Sequence, residues 1–300
     1  MTSFTLLRRT AYTAAVLSFA LIVLGGIVRI TGSGMGCGEH WPKCNGEWFP
    51  PLDLPTFIEI FHRWVAALVS VAVLATGVVA WRRHRREPQL LVPATLGVVL
   101  LISQVLLGAV TVKLELPPLV VIVHFVNALL LLTAVLVTAL RASPAGTAPP
   151  PTERHSLHRL AWITALTGFA TVILGAYVAN LNAGPACLGF PLCRGGILPP
   201  PDPLAHIHLT HRIVAYAFFV LLVVLVVRVR KLPDATARAF RLMAALALVL
   251  AVIQIGIAAA MVLRLLPPAL RGAHLLMGTA VWAALVVILH HSSPAACLSV

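Results

Sequence analysis

The feature that most constrains the fold of this 300-residue chain is a series of long apolar blocks. Each block has about 20 residues, the length that an α-helix needs to cross a bilayer core about 30 Å thick. Hydrophobic residues make up 60% of the chain and charged residues only 10%, whereas a globular chain has roughly 25% charged residues. The blocks therefore predict an all-α integral membrane protein. They place eight transmembrane helices at residues 11–30, 57–81, 90–112, 119–141, 158–180, 206–229, 237–262 and 269–291.

The net charge of +13 is distributed unevenly between the two sides of these spans. One side receives most of the basic residues, among them Arg8, Arg9 and the run from Arg82 to Arg86. Cationic segments stay cytoplasmic during insertion, so both termini are expected in the cytoplasm of a multi-pass cell-membrane protein. Membrane topology explains the basic surplus, and we expect no nucleic-acid partner.

An internal repeat relates the two halves of the chain at an offset of 149 or 150 residues. The superimposed pairs are Gly25 and Gly175, Gly34 and Gly184, Cys37 and Cys187, Cys44 and Cys193, His62-Arg63 and His211-Arg212, Gln104 and Gln254, and His124 and His274. The repeat predicts two pseudo-symmetric four-helix bundles, residues 1–141 and 158–300, joined by a cytoplasmic linker at 142–157.

Four histidines, His62, His124, His211 and His274, lie inside predicted spans, one or two turns from the same membrane face. An ionisable side chain inside a membrane is costly and indicates a functional site. Two imidazoles on facing helices commonly hold a haem iron from both sides. A lone histidine can instead hydrogen-bond to a neighbouring helix, but two pairs preserved across a repeat favour haem. Two ligands per site leave zinc or copper incompletely coordinated.

The residues beside the first histidine of each pair differ between the halves. Glu59 precedes His62 by three residues and shares its helix face, whereas His208 stands at the equivalent position before His211. A carboxylate beside an axial histidine can move protons or stabilise developing cationic charge, so Glu59 is a catalytic candidate. An ion pair between Glu59 and Arg63 is the alternative.

The arginines that follow the histidines, Arg63 and Arg212, have two possible roles. They can bind haem propionates, or they can extend their charged ends to the membrane interface. The residues alone leave both possibilities open. His206 and His208 receive no role.

Four of the five cysteines lie in two predicted loops on the outer face, where disulfides persist. One bridge per loop, Cys37–Cys44 and Cys187–Cys193, is the preferred prediction. A metal site made by Cys37, His40 and Cys44 is the alternative, although the second loop has no counterpart of His40. The fifth cysteine, Cys297, receives no role.

The motifs of this chain occur together in one known family. They are the segment Leu24-Gly25-Gly26-Ile27-Val28-Arg29, the loop from Gly34-Met35-Gly36-Cys37 through Trp41-Pro42 to Cys44, the Glu59-x-x-His62-Arg63 element, His124, His211-Arg212 and His274. In this order, over essentially its whole length, the chain resembles haem A synthases, the bacterial relatives of the mitochondrial enzyme.

The resemblance implies an activity and a division of roles. The family oxidises the C8 methyl group of haem O to a formyl group by successive hydroxylations, giving haem A for aa3-type oxidases. It implies substrate haem on His62 and His124, resident haem b on His211 and His274, catalysis by Glu59, and the two loop cysteine pairs.

The resemblance also implies partners: haem O synthase, terminal oxidase assembly and an electron acceptor. From the residues alone, a quinol-linked di-haem b electron-transfer cytochrome is the main alternative, and a transporter is a second.

Overall fold

The computed structural model describes residues 3–51, 53–143, 151–196, 199, 201–232 and 234–293, with the backbone alone at 151–155 and 234–236. Cys297 and residues 144–150 of the predicted linker lie outside these ranges. The described residues contain eight long helices. They are α1 Ser3–Ile30, α2 Leu54–Arg83, α3 Pro88–Lys113, α4 Pro118–Arg141, α5 Pro151–Asn180, α6 Pro203–Arg230, α7 Asp234–Leu263 and α8 Pro268–Ser292.

All eight helices are long and apolar enough to cross a bilayer, which confirms the all-α membrane fold. Each predicted span lies inside one helix, but several helices extend beyond the span. Helix α1 begins at Ser3, eight residues before the predicted start at residue 11. Hydropathy detects only the part of a helix that suits lipid, whereas polar residues such as Arg8 and Arg9 continue the helix into the interface.

Helix α5 also extends beyond its predicted span at 158–180, because it begins at Pro151. Its first turns fall within residues 142–157, which are predicted to link the two halves. Proline is favoured in the first turn of a helix because the backbone N–H that it lacks would have no partner there. Proline is likewise the first residue of α3, α4, α6 and α8 and the second residue of α2.

The first unit, Met1–Ser143, contains α1 to α4. Helix α1 packs against α2 and α4, and α3 packs against the same two neighbours, so the four helices close into a bundle. A buried apolar cluster that includes Leu7, Ala80, Leu90 and Ala94 joins α1, α2 and α3 near one end of this bundle. The opposite end carries the segment between α1 and α2.

The second unit, Pro144–Val300, contains α5 to α8. Its helices contact one another in the corresponding cyclic order, α5 with α6 and α8, and α7 with α6 and α8. A short 3-10 turn follows the first helix of each unit, at Ser33–Met35 and at Pro185–Cys187. The repeated sequence therefore produces a repeated local architecture.

A glycine in or just before each 3-10 turn lies very close to a leucine side chain. A Cβ atom at Gly34 would lie 2.8 Å from Leu116 Cδ1, and one at Gly184 would lie 2.8 Å from Leu266 Cδ1. Both leucines adopt positive φ angles, 62° and 64°, in the turn between the last two helices of their unit. A side chain at either glycine would therefore displace the end of this leucine, so glycine allows the closest packing of the two turns.

Candidate functional site

The histidine pair of the first unit lies on α2 and α4. His62 and His124 are close enough to each other for a direct electrostatic interaction. The Nδ1 atoms of both rings are buried and have no hydrogen-bond partner among the residues that the structure describes. The bundle thus brings together the two histidines that the sequence analysis paired.

Glycines hold neighbouring helices close to the histidine rings. A Cβ atom at Gly25 of α1 would lie 3.2 Å from His62 Cε1, and one at Gly108 of α3 would lie 3.4 Å from His124 Cε1. In the second unit, a Cβ atom at Gly175 would lie 3.1 Å from His211 Cε1. The repeat had aligned Gly25 with Gly175, but only the structure shows that both face a histidine.

The sequence did not predict that His124 contacts the side chain of Gln104. The Nε2 atom of His124 lies 3.2 Å from the amide nitrogen of Gln104 on α3. Asn127 donates to Gln104 Oε1 at 2.6 Å and to the carbonyl oxygen of Leu100 at 2.9 Å. Ser103 donates to Asn127 Oδ1 at 2.8 Å. The repeat aligned Gln104 with Gln254, which could have indicated a role for Gln104. Asn127 has no polar counterpart in the second half, so the repeat gave no indication of it.

The histidine pair of the second unit, His211 on α6 and His274 on α8, is also within electrostatic range. His211 Nδ1 lies 3.0 Å from the carbonyl oxygen of Thr171, which can only accept. Its Nδ1 therefore carries the proton, and its Nε2 has the free lone pair that a metal needs. His274 Nε2 lies 3.2 Å from the amide nitrogen of Gln254, as His124 does from Gln104.

Glu59 is buried, with 3% of its surface exposed, and both carboxylate oxygens are engaged. Its Oε1 forms an ion pair with Arg63 Nη2 at 2.5 Å, and its Oε2 accepts from the backbone N–H of Cys37 at 2.8 Å. The ion pair left open by the sequence is therefore present. The carboxylate lies one helical turn before His62. A catalytic role for Glu59 stays a prediction.

Arg63 fastens the first cysteine loop, residues 37–44, to α2. Its Nη1 donates to the carbonyl oxygens of His40 and Lys43, both at 2.8 Å. Arg212 makes the equivalent connection to the second cysteine loop, residues 187–193. It donates to the carbonyl oxygen of Cys187 at 2.6 Å and to that of Leu192 at 2.9 Å. Both guanidinium groups thus bind loop carbonyls, and propionate binding stays a prediction.

His208 occupies the place of Glu59 with the opposite hydrogen-bonding character. Its side chain is buried, and its Nδ1 donates to the carbonyl oxygens of Ala183 and Gly184 at 3.2 and 3.1 Å. Glu59 accepts from a loop N–H, whereas His208 donates to loop carbonyls. His206 is exposed, with its Nδ1 2.8 Å from the carbonyl oxygen of Asp202 in the first turn of α6.

The cysteines of each loop are joined to each other, Cys37 to Cys44 and Cys187 to Cys193. A disulfide leaves no thiolate for a metal, so the alternative site with His40 is not what the structure contains. Within the described part of the chain, no three His, Cys, Asp or Glu side chains group in a way that could hold a metal ion by themselves.

The paired histidines fit the two axial positions of a haem, whose porphyrin supplies the other four ligands. His211 presents an unprotonated Nε2, and His62, His124 and His274 each retain a buried Nδ1 atom without a partner in the described ranges. The glycines beside three of the rings leave no side chain between histidine and neighbouring helix. This arrangement suits a flat group held between facing imidazoles.

The chain is similar to known proteins over most of its length. A family model described as cytochrome oxidase assembly protein, COX15-CtaA, matches residues 8–55 and 53–286. A Heme A synthase of Shouchella clausii is 35% identical over 212 residues, covering 68% of this chain and 70% of the relative.

Further relatives carry the same description. A Heme A synthase of Bacillus licheniformis is 36% identical over 188 residues, 60% of this chain and 61% of the relative. One of Alkalihalophilus pseudofirmus is 35% identical over 215 residues, 69% of this chain and 71% of the relative. The chain thus spans 61% to 71% of the length of these three relatives. With a family match across nearly all of its helices, the chain belongs to the COX15-CtaA family of cytochrome oxidase assembly proteins.

Proposed function

We propose that this chain is a haem A synthase, an oxidoreductase that converts the C8 methyl group of haem O to the formyl group of haem A. The carrying observation is one pair of intramembrane histidines in each four-helix unit, on facing helices. Family membership and the Heme A synthase relatives support the same conclusion.

The two units have different roles in this proposal. His62 and His124 of the first unit bind the substrate haem, and His211 and His274 of the second unit bind a resident haem b. The hydrogen bond from His211 Nδ1 to Thr171 supports this division, because it orients the ring and raises its basicity as a ligand. No described residue bonds to the equivalent atom of His62, which suits a haem that must be released.

Glu59 is the proposed catalytic residue of the first unit. When bound, a resident haem b supplies one-electron transfer to the site. Arg63 and the Cys37 N–H hold the Glu59 carboxylate in one position, beside the helix turn that carries His62. In this proposal the dipole of the fixed Glu59–Arg63 ion pair, rather than a free negative charge, stabilises positive charge that develops on a carbon being oxidised, at no reorganisation cost during the reaction.

The membrane setting follows from the charge distribution. We place the chain in the cell membrane, with both termini in the cytoplasm and both cysteine loops outside, because the basic residues cluster on the opposite side from these loops. Haem O enters from lipid, and haem O synthase, the terminal oxidase assembly and an electron acceptor are its functional partners. Reporter fusions to each terminus and loop test the sidedness.

Pigment extraction is the decisive experiment for this function. Cells that make the chain, with and without a supply of haem O, are extracted and examined for haem A. Haem A is expected only when both the chain and haem O are present. Two equivalent haem b groups and no haem A would instead identify a di-haem electron-transfer cytochrome.

A further inference from the structure

The two units differ in what lies behind the second histidine of each pair. In the first unit, Asn127 and Ser103 form a chain of hydrogen bonds that ends on the Gln104 side chain. Gln104 Oε1 accepts from Asn127, so the amide group must present its nitrogen to His124 Nε2. Gln104 therefore donates to His124 and occupies the lone pair of Nε2.

Asn127 is itself fixed in orientation. Its amide nitrogen donates to the Leu100 carbonyl oxygen at 2.9 Å, and its Oδ1 accepts from Ser103 at 2.8 Å. A reversed Asn127 amide would place its oxygen against the Leu100 carbonyl oxygen, two acceptors with no proton between them. The Ser103 hydroxyl also lies within donating distance of the Leu100 carbonyl, at 2.9 Å, so the Leu100 carbonyl is the group that fixes the direction of the Asn127 amide. The direction of the Gln104 amide is thus set by a network in which each amide group has a partner.

The second unit lacks this network. At the 150-residue offset, Met277 stands in place of Asn127 and Ile253 in place of Ser103. Neither side chain donates a hydrogen bond. Gln254 contacts His274 at the same 3.2 Å distance, but its buried Oε1 has no partner within the ranges that the structure describes. Gln254 therefore turns away from His274 without breaking an anchoring bond.

We propose that Ser103 and Asn127 position Gln104 as a competitor for His124 Nε2, which makes the first unit release its haem while the second unit retains one. The lone pair of Nε2 serves either the Gln104 N–H group or an iron. An anchored Gln104 raises the cost of ligation by His124, whereas the unanchored Gln254 yields to a ligand. The inference rests on the proposed function, because it explains how substrate and product exchange at one of two similar sites.

Haem release from the full-length protein tests this proposal directly. The protein is loaded with iron protoporphyrin IX and mixed with excess apomyoglobin, and absorbance follows the transfer. We expect a fast phase from the first unit and a slow phase from the second. Asn127→Met, which installs the residue of the second unit, should slow the fast phase roughly two- to tenfold, the effect of one net hydrogen bond.

A reciprocal variant and a double variant make the test specific. Met277→Asn combined with Ile253→Ser should accelerate the slow phase by a similar factor. Gln104→Leu should slow the fast phase, and adding Asn127→Met to Gln104→Leu should then change nothing further, because Asn127 acts only through Gln104. A further change in the fast phase of the double variant would instead show that Asn127 affects haem release through the structure and not through Gln104.

The outcomes separate this inference from the proposed function. An unchanged or faster release from Asn127→Met would overturn the inference, provided the slow phase is normal and so shows that the chain is folded. If Asn127→Met does not fold, Ser103→Ala and Gln104→Leu replace it. Unchanged or faster haem release from these variants, with a normal slow phase, would overturn the inference. Haem A formation with unaltered release rates would defeat the inference alone, whereas altered rates without haem A would defeat the proposed function alone.

Discussion

Because Arg63 pairs with Glu59 and the equivalent Arg212 has no carboxylate partner among the described residues, we expect alanine at position 63 to lower the free energy of unfolding more than alanine at position 212. Replacing Arg63 by alanine removes hydrogen bonds to the His40 and Lys43 carbonyls and also leaves the buried Glu59 carboxylate without its cation. Replacing Arg212 removes hydrogen bonds to the Cys187 and Leu192 carbonyls, but no carboxylate is left behind.

The magnitude follows from the difference between these two sites. Each variant loses comparable bonds to loop carbonyls, so these losses nearly cancel in the comparison. Breaking a buried ion pair by removing one partner costs about 3–5 kcal/mol. Glu59 and Arg63 have 5% and 14% exposed side chains, and Glu59 keeps its bond from Cys37. Arg63→Ala should therefore lower the unfolding free energy by about 3 kcal/mol more than Arg212→Ala.

Denaturant unfolding in detergent, followed by tryptophan fluorescence, measures this difference. The double variant Glu59→Gln with Arg63→Ala is the matched control, because it removes the charge that Arg63→Ala leaves unpaired. It should recover most of the extra loss. Equal destabilisation by the two arginine variants, or no recovery in the double variant, would refute the assignment of Arg63 as the counter-charge of Glu59.

Three further outcomes are expected. Glu59→Gln should retain haem b but reduce the rate of haem A formation by about 100-fold or more, the usual scale for one preorganised transition-state contact; a normal haem A content in pigment extracts would contradict the catalytic role. His274→Ala should lose the haem b absorbance of the purified protein, and an unaltered spectrum would show that this histidine is not an axial ligand. Gly175→Ala should weaken haem retention, because its Cβ atom would lie 3.1 Å from His211 Cε1. Gly256→Ala is the control, since nothing lies within 4 Å of its added Cβ atom, and equal effects of the two would refute the steric argument.

The membrane fold was predictable because the bilayer imposes one length on every apolar block. Each predicted span therefore falls inside one helix. The helix ends were less predictable, since the extension of α1 to Ser3 and of α5 to Pro151 depends on polar residues that hydropathy does not recognise as helical.

Much of the candidate site was predictable because the repeat preserved the residues, whereas Glu59 was predicted where the repeat breaks. The repeat identified both histidine pairs and aligned Gln104 with Gln254, but it could not indicate Asn127, whose counterpart is Met277. The partner of Glu59 also stayed open, because helix spacing allows Arg63 to point either toward the carboxylate or toward the interface. The loop carbonyls that fix Arg63 are a tertiary feature that no sequence pattern records.

The exchange of Glu59 for His208 limits how the two halves of this chain can be recombined. The first cysteine loop offers an N–H group to α2, whereas the second unit offers the Ala183 and Gly184 carbonyls to α6. A carboxylate in place of His208 would set acceptor against acceptor in a buried place, because it would face the Ala183 and Gly184 carbonyl oxygens. A histidine in place of Glu59 could still accept from the Cys37 N–H through an unprotonated Nδ1. The side chain on the helix and the backbone groups that face it are therefore matched in the second unit, and a carboxylate at position 208 would also require a change in the backbone that faces it.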